Sequence, residues 1–298
     1  LLMILMTWLY ISIGIASPQW MSVFAAVQAV VIALIVAAVH RIGKHALTNT
    51  KLFITALFSL AGCIAGIHFL ILLPAAGLLY SLWNKGASAL ALTGACVFSV
   101  FILMHFSTDN FSENTSVPLL GFNGQAAVFI SGLKAGLLTF GGAYTVIPFL
   151  QEDAVNNYGW MTQAQFLDGI ALSGILPAPL IIFSTFVGYF GGGWTGAILM
   201  TVAIFLPSFL FTLIGHSALE KIIENKSLKD FLDGVTAAVI GLISFTAYGL
   251  FITTITGLQA IILFATALSL LYLIKSKYTV LLVIGGAAIA GLIINRIA

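Results

Sequence analysis

Charged side chains are scarce in this chain of 298 residues. Aspartate, glutamate, lysine and arginine make up 7% of the sequence, and 61% of the residues are hydrophobic. A soluble domain carries about 25% charged residues, so these few charges cannot cover a surface that faces water. The net charge of +2 is also too small to indicate binding to nucleic acid. The composition therefore predicts a protein that is solvated by a lipid bilayer.

Reactive and metal-binding residues are few as well. The two cysteines, Cys63 and Cys96, both lie in apolar runs, which indicates packed thiols rather than a disulfide or a metal site. The histidines have no metal-ligand spacing, and the sequence has no phosphate-binding loop, zinc motif or Ser–His–Asp order. These absences argue against an enzyme and predict neither a metal nor a cofactor.

Long hydrophobic runs are abundant instead. Several approach or reach the ~20 residues that a helix needs to cross the hydrocarbon core of a bilayer. Lipid offers backbone groups no partners, and runs this uniform do not alternate as barrel strands do, so the spans are expected to be helices. The predicted fold class is all-α, a polytopic helical membrane protein. The predicted spans are residues 21–39, 51–67, 87–106, 234–252, 257–274 and 279–294.

An internal repeat divides the chain. Residues 27–36 (VQAVVIALIV) and 235–244 (VTAAVIGLIS) are identical at six of ten positions, at an offset of 208. The offset aligns residue 1 with residue 209, and the chain does not begin with Met. We therefore expect that the first half of the first repeat is missing from this sequence. Residues 1–106 are then the remainder of an N-terminal repeat, the polar segment 107–124 a linker, and residues 125–298 a complete C-terminal repeat.

Basic loops indicate that the two repeats have opposite orientations. Cytoplasmic loops collect Lys and Arg, and here the basic loops of each copy align with segments of the other copy that have none. Inverted repeats are a transporter architecture with the substrate site near the bilayer midplane. A duplication with scattered charges is the alternative. The basic loops hold Arg41, Lys44 and Lys51 in the first copy and Lys221, Lys226, Lys229, Lys275 and Lys277 in the second.

Between residues 125 and 208 the apolar stretches are shorter and are interrupted twice. The breaks are TFGGAY at 139–144 and SGILPAP at 173–179, each with a helical pattern on both sides. A helix that starts inside the membrane leaves N–H groups unpaired and carries about half a positive charge, which an oxyanion can satisfy. The sequence therefore predicts broken or re-entrant helices whose starts at Gly142 and Pro179 bind an anion. Helix packing at the glycines and simple kinks at the prolines are the alternatives.

Lys134 is the most informative single residue, because a charge in the middle of an apolar run is costly in a membrane. It can pair with a dianion or with Asp168, or it can snorkel to the interface. Asp168 has apolar neighbours and is a candidate for a coupling proton. Glu152 is a second candidate, although Glu152 and Asp153 are expected to end a helix at the surface. The predicted substrate-binding residues are Lys134, Thr139, Gly141, Gly142, Tyr144, Ser173, Pro177, Pro179 and Ser184.

Several ordered motifs in this segment resemble the chromate ion transporter family. They are FGGAYTVIPFLQEDAV at 140–155, GW at 159–160, FLDGIALSGILPAPLIIFSTFVGYFGGG at 166–193 and FLPSF at 205–209. The family's Gly-Gly motif corresponds to Gly141 and Gly142, and its proline motif corresponds to Pro177 and Pro179. Many members have glycine between these prolines, where this chain has Ala178. The chain is similar over its whole length to a long, two-domain member of the family.

The resemblance implies a secondary active transporter in the bacterial inner membrane that exports chromate from the cytoplasm. Sulfate is the expected isosteric competitor, and the coupling partner is a proton or a counter-anion. A homodimer is compatible with this interpretation. The alternatives are a sulfate or other inorganic anion carrier, an anion channel, an intramembrane enzyme and a membrane scaffold.

Overall fold

The computed structural model describes residues 1–13, 18–86, 124–139, 142–176, 178–213, 225–274, 276 and 278–297. Within these ranges the chain is almost entirely helical and contains no strand, which confirms the all-α prediction. The predicted span 87–106, nearly all of the linker 107–124 and Cys96 lie outside them. The helices are α1 Leu2–Ile13, α2 Pro18–Ala46, α3 Thr50–Ile64, α4 Phe69–Asn84, α5 Gly124–Leu137, α6 Ile147–Gln151, α7 Gln163–Ile175, α8 Phe183–Leu213, α9 Lys226–Thr254, α10 Leu258–Leu273 and α11 Thr279–Ile297.

The helices differ in how much of a bilayer they can cross. Among the described residues, three stretches are long and apolar enough to span it, Trp20–Ala46, Leu180–Leu213 and Lys226–Thr254. In contrast, α3 has 15 residues and α4 has 16, or about 23 Å of helix, less than the ~30 Å of a hydrocarbon core. The start of α3 is fixed by Asn49, whose side-chain oxygen accepts the N–H of Leu52 at 2.9 Å.

Helix α8 is folded back on itself rather than straight. The chain turns at Gly192 and Gly193, and Gly193 has a φ of 62°, a conformation that favours glycine. The two arms, residues 183–191 and 194–213, then pack closely, since a Cβ at Gly188 would be 2.5 Å from the carbonyl oxygen of Gly196. The stretch Leu180–Leu213 is therefore a short arm and a long arm that run in opposite directions.

The long helix of each predicted repeat packs against the short helices of the other. Helix α9 lies against α3 and α4, whereas α2 lies against α10 and α11. Glycines permit the close approach of the backbones. A Cβ at Gly241 would be 2.4 Å from the carbonyl oxygen of Ala56, and a Cβ at Gly291 would be 2.7 Å from that of Ser22. The two halves of the chain are thus interlocked.

Helices α2 and α9 run in opposite directions. Near the C-terminal end of α2, a Cβ on Gly43 would be 3.9 Å from the side chain of Ile240. Towards the other end, the side chains of Gln28 and Thr253 both hydrogen bond to residues 163–164, at the start of α7. Contacts nearer the C-terminal end of α2 thus involve residues nearer the N-terminal end of α9, so the two helices are antiparallel.

One end of the molecule collects the basic residues. Lys51 Nζ donates to the Trp83 carbonyl at 3.2 Å, and Ser81 Oγ donates to the Ser227 carbonyl at 3.2 Å. These bonds bring together the start of α3, the end of α4 and the start of α9, and three residues connect the end of α2 to the start of α3. We call this region the basic end; its described cations are Arg41, Lys44, Lys51, Lys85, Lys226 and Lys229.

Candidate functional site

The chain breaks its helix at Gly142. Helix α5 ends at Leu137, and a 3-10 turn begins at Ala143 and continues through α6 into a π-helical turn that ends at Asn157. Gly142 has a φ of 141°, which an L side chain rarely adopts. Its carbonyl accepts the backbone N–H and the hydroxyl of Thr145 at 3.1 and 2.6 Å. The predicted residue Gly141 lies outside the described residues.

A second break follows at Pro179. Helix α7 ends at Ile175, and Pro179 precedes a 3-10 turn, Leu180–Ile182, which leads into α8. The chain returns towards α7, because a Cβ at Gly169 would be 2.5 Å from the ring of Phe186. Pro177 lies outside the described residues. The structure therefore has a new helix start close to each of the two positions that the sequence indicates.

The two helix starts are neighbours. The 3-10 turn Ala143–Val146 packs against the 3-10 turn Leu180–Ile182. The first N–H groups of each segment have no carbonyl partner within their own helix, and each start carries a partial positive charge. Such a pair of helix starts can bind an anion.

The predicted hydroxyl donors differ in their availability. Thr139 Oγ1 donates to the Ala135 carbonyl at 2.6 Å, and Ser173 Oγ donates to the Ile170 carbonyl at 2.7 Å. Both hydroxyls therefore satisfy their own helix, the ordinary role of Ser and Thr in helices. In contrast, Ser184 Oγ is fully buried and has no hydrogen-bond partner among the described residues.

Lys134 forms an ion pair with Asp153, whose side chain is only 3% exposed. Ser131 Oγ donates to the second carboxylate oxygen at 2.6 Å, and Asn157 Nδ2 donates to the first at 3.2 Å. The ammonium group also lies 5.5 Å from the centre of the Phe69 ring. This cluster ties α5 to the segment that follows the first break.

Two expectations about these acids are therefore wrong. Asp153 does not end a helix at the surface, because it lies on the same face as Phe149, four residues earlier, and both are buried. That spacing is a sequence signal that identifies Asp153. Lys134 does not pair with Asp168, because Asp153 holds it. Glu152 is half-buried and accepts the side-chain amide of Asn156 at 2.8 Å.

Asp168 occupies a second buried cluster. It is 3% exposed, and its oxygens accept Tyr10 Oη at 2.7 Å and Gln28 Nε2 at 2.8 Å. No Lys or Arg of the described ranges pairs with it. The Tyr10 ring is in turn packed edge-on by Phe24 and Phe186. Helices α1 and α2 of the first half thus hold a carboxyl of the second half through two hydrogen bonds from neutral side chains.

Arg41 is a residue that sequence reasoning did not assign to the site. Among the described residues, a Cβ at Gly142 would meet Ile42, at 4.0 Å, and Arg41 precedes Ile42 in the sequence. Arg41 is exposed and has no acidic partner among the described residues. About a hundred residues separate Arg41 from Gly142, so only the fold brings this unpaired cation to the first helix start.

His68 lies in the connection between α3 and α4, near the Lys134 cluster. Its Nδ1 accepts the N–H of Leu70 at 3.3 Å, and its ring stacks on Phe69 at 4.5 Å. Burial lowers the pKa of His68; the charge of Lys134 acts in the same direction, and those of Glu152 and Asp153 oppose it. The neutral ring is the form that can accept this backbone bond.

Broken helices within a helical membrane fold are a feature of membrane transport proteins. The sequence model of the chromate transporter family matches residues 126–292, and this chain belongs to that family. Over 300 residues it is 48% identical to a chromate transport protein of Pseudomonas aeruginosa. This alignment covers 98% of this chain and 71% of the relative. The corresponding protein of Cupriavidus metallidurans is 31% identical over 296 residues, with the same coverage.

A shorter relative matches little more than half of this chain. The uncharacterized transporter YwrA of Bacillus subtilis is 31% identical over 172 residues, which is 56% of this chain and 96% of that protein. No solved structure matches the chain. A family relative that corresponds to little more than half of this chain therefore exists as a separate protein.

Proposed function

We propose that this protein is a secondary active transporter that exports chromate from the bacterial cytoplasm across the inner membrane, with sulfate as an isosteric competitor. The observation that supports the proposal most is the contact between the two helix starts that follow Gly142 and Pro179. The chromate transport proteins of Pseudomonas aeruginosa and Cupriavidus metallidurans match 98% of the chain.

The chemistry of the site suits a tetrahedral dianion. Chromate and sulfate present four oxygens that accept hydrogen bonds, and the helix starts present unpaired N–H donors with partial positive charge. Ser184 adds a buried hydroxyl without a partner among the described residues, and Arg41 adds a full charge one residue from Ile42, which lies near Gly142. The proposed substrate-binding residues are Lys134, Gly141, Gly142, Tyr144, Pro177, Pro179 and Ser184, together with Arg41. Thr139 and Ser173 complete the proposed set, and each would first have to release the helix carbonyl to which it donates.

Lys134 enters the proposal in a changed role. It already neutralises Asp153, so an anion can reach its charge only by competing with that carboxylate. We infer that the ion pair holds α5 to residues 143–157 when the site is empty and that a dianion loosens it. Removing either partner alone would leave the other charge buried and unpaired, which is strongly destabilising.

Asp168 is the proposed proton-coupling residue. A buried carboxyl that has two neutral donors and lacks a cation among the described residues is a group whose protonation alters local packing. Loss of either bond would release Tyr10 in α1 or Gln28 in α2. Protonation of Asp168, which lies in α7, is therefore linked to the helices of the first half. Glu152 remains the second candidate, and exchange with a counter-anion is the alternative to proton coupling.

The packing supports inverted repeats. The offset of 208 carries the bounds of α2, 18 and 46, onto those of α9, 226 and 254. The two helices are antiparallel, and each packs on the short helices of the other half. An arrangement of this kind suits alternating access around a fixed site. The positive-inside rule then assigns the basic end to the cytoplasm, the side from which chromate would leave.

The proposal is tested by flux into proteoliposomes that contain the full-length protein. We expect saturable uptake of chromate that sulfate inhibits and that collapses when the proton gradient is removed. Gly142→Leu should abolish flux, because the side chain would force a strained backbone at the helix start. Gly285→Leu is the matched control, since a Cβ there meets no atom of the described residues within 4 Å.

Three results would contradict the proposal. Flux that does not saturate and ignores the gradient would indicate a channel. Saturable sulfate flux without chromate flux would indicate a sulfate carrier. Equal chromate flux in wild type and Gly142→Leu would remove the helix start from the mechanism.

A further inference from the structure

A cavity of about 420 Å³ opens at the basic end, between α2, α3 and α9. Three polar side chains, those of His40, Lys44 and Ser244, interrupt a lining that is otherwise aliphatic, aromatic or glycine. The Ser244 hydroxyl donates to the carbonyl of Ile240 in its own helix at 2.7 Å, so it has its partner already. Lys44 and His40 are therefore the groups that can recognise a polar ligand.

The depth of the cavity matches one bilayer leaflet. Its α3 wall runs from Phe53 to Leu60, which lie about 5 to 15 Å along the helix from Thr50. Half of a ~30 Å hydrocarbon core is about 15 Å. Its polar end is marked by Lys44, in the last turn of α2. The cavity therefore has a cation at the level of lipid headgroups and apolar walls at the level of acyl chains.

The cavity faces outwards rather than into the protein. Phe53 is 52% exposed and Leu57 is 48% exposed, and both line it. Lys44 and His40 are exposed as well. Lys44 has no ion-pair partner among the described residues, and no carboxylate stands in the described lining. An apolar wall that is open to the bilayer and bears an unpaired cation is complementary to an anionic amphiphile.

We propose that this cavity binds one anionic phospholipid, with the phosphate at Lys44 and an acyl chain along α3 and α9. Basic pockets between membrane helices on the cytoplasmic side bind such headgroups. A small inorganic dianion does not fit the lining, because the helix backbones around it are already hydrogen bonded and the walls are apolar. The proposal is independent of the transported substrate.

Two substitutions separate the charge from the shape of the site. Lys44→Gln removes the cation and leaves the apolar walls. Gly43→Phe fills the cavity, and its Cβ would make only ordinary contacts, at 3.8 Å from Leu47 and 3.9 Å from Ile240. Lys85→Gln is the matched control, because Lys85 is an exposed lysine at the same end of the molecule that does not line the cavity.

The assay is native mass spectrometry of the full-length protein with phosphatidylglycerol or phosphatidylcholine, together with melting in each lipid. Wild type and Lys85→Gln should retain phosphatidylglycerol in preference to phosphatidylcholine. Lys44→Gln should lower that preference about fivefold, the effect of one lysine near an anionic surface. Gly43→Phe should lose one bound lipid of either kind and lose the thermal stabilisation by phosphatidylglycerol.

The proposal is overturned if Lys44→Gln keeps the wild-type preference, because the headgroup would then lie elsewhere. It is also overturned if the two lipids bind equally to wild type, or if Gly43→Phe binds as many lipids as wild type. A dimer that forms only in wild type and fails in Gly43→Phe, with no lipid bound, would assign this face to a second copy of the chain instead. The Lys44→Gln result decides the question if Gly43→Phe does not fold.

Discussion

The ion pair of Lys134 and Asp153 should make a measurable contribution to the free energy of unfolding. Lys134→Met leaves the Asp153 carboxylate buried with only the donors of Ser131 and Asn157. Breaking a buried pair in this way costs about 3–5 kcal/mol, and since the lysine side chain is 27% exposed we expect the lower end. Asp153→Leu leaves the ammonium group unpaired, and its longer, partly exposed side chain should make the loss smaller.

Removing both charges together should cost much less. The double variant Lys134→Met/Asp153→Leu has no uncompensated ion, although Ser131 loses its acceptor at a cost of about 1 kcal/mol. A double-mutant cycle of unfolding free energies in detergent should therefore give a coupling of about 2 kcal/mol or more. If the losses of unfolding free energy in the two single variants simply add in the double variant, Lys134 and Asp153 do not stabilise each other.

The same double variant tests whether the lysine is also a ligand. Since it should fold, its chromate flux can be compared with that of wild type in the same liposomes. We expect flux to be lost, because the anion can no longer bind the Lys134 ammonium group in place of Asp153. Normal flux in a stable double variant would show that the ion pair only stabilises the fold, and it would contradict the role proposed for Lys134.

Two further predictions concern groups near the helix starts. Arg41→Gln should raise the KM for chromate about tenfold and change the maximal flux little, with partial rescue by Arg41→Lys; an unchanged KM would exclude Arg41 from the site. Burial lowers the pKa of His68 from its usual 6.5, so below about pH 6.5 the unfolded chain takes up a proton that the folded chain does not, and stability falls as pH falls. His68→Asn should flatten melting temperature against pH between about 7 and 5, and an unchanged slope would show that His68 is not the cause.

The sequence predicted the parts of the fold that depend on local pattern. Apolar runs gave α2, α9, α10 and α11, because hydrophobicity along a helix is a local property. Glycine and proline marked both helix breaks, since each residue restricts or frees its own backbone. The same reasoning did not identify the turn in α8, where the chain reverses at Gly192 and Gly193.

The candidate site was predicted less completely, because its partners are far apart in sequence. Asp168 was expected in an apolar context, but Tyr10, 158 residues away, could not be recognised as its partner. Arg41 resembled an ordinary cytoplasmic cation, and only the fold brings it to Gly142. Asp153 was misassigned because it follows Glu152 at the end of an apolar run, a position that usually faces water. Pairings of this kind are set by helix packing, which a single sequence does not encode in any local pattern.

The balance of buried charges makes a last prediction about coupling. Among the described residues around the breaks, Lys134 offsets Asp153, and Asp168 has no cation. Asp168 lies seven residues before the end of α7 at Ile175, or about 10 Å along the helix. At that distance, and with an effective dielectric constant of about 20, a dianion at the break and an ionised Asp168 repel each other by about 3 kcal/mol.

Protonation of Asp168 removes this repulsion, so anion binding should draw in a proton. We expect sulfate, which does not oxidise the protein, to cause uptake of up to one proton per bound anion, measured with a pH indicator in weakly buffered detergent. Asp168→Asn should abolish the uptake while binding persists or tightens, and His68→Asn should leave the uptake unchanged. Proton release on binding, or unchanged uptake in Asp168→Asn, would contradict the argument.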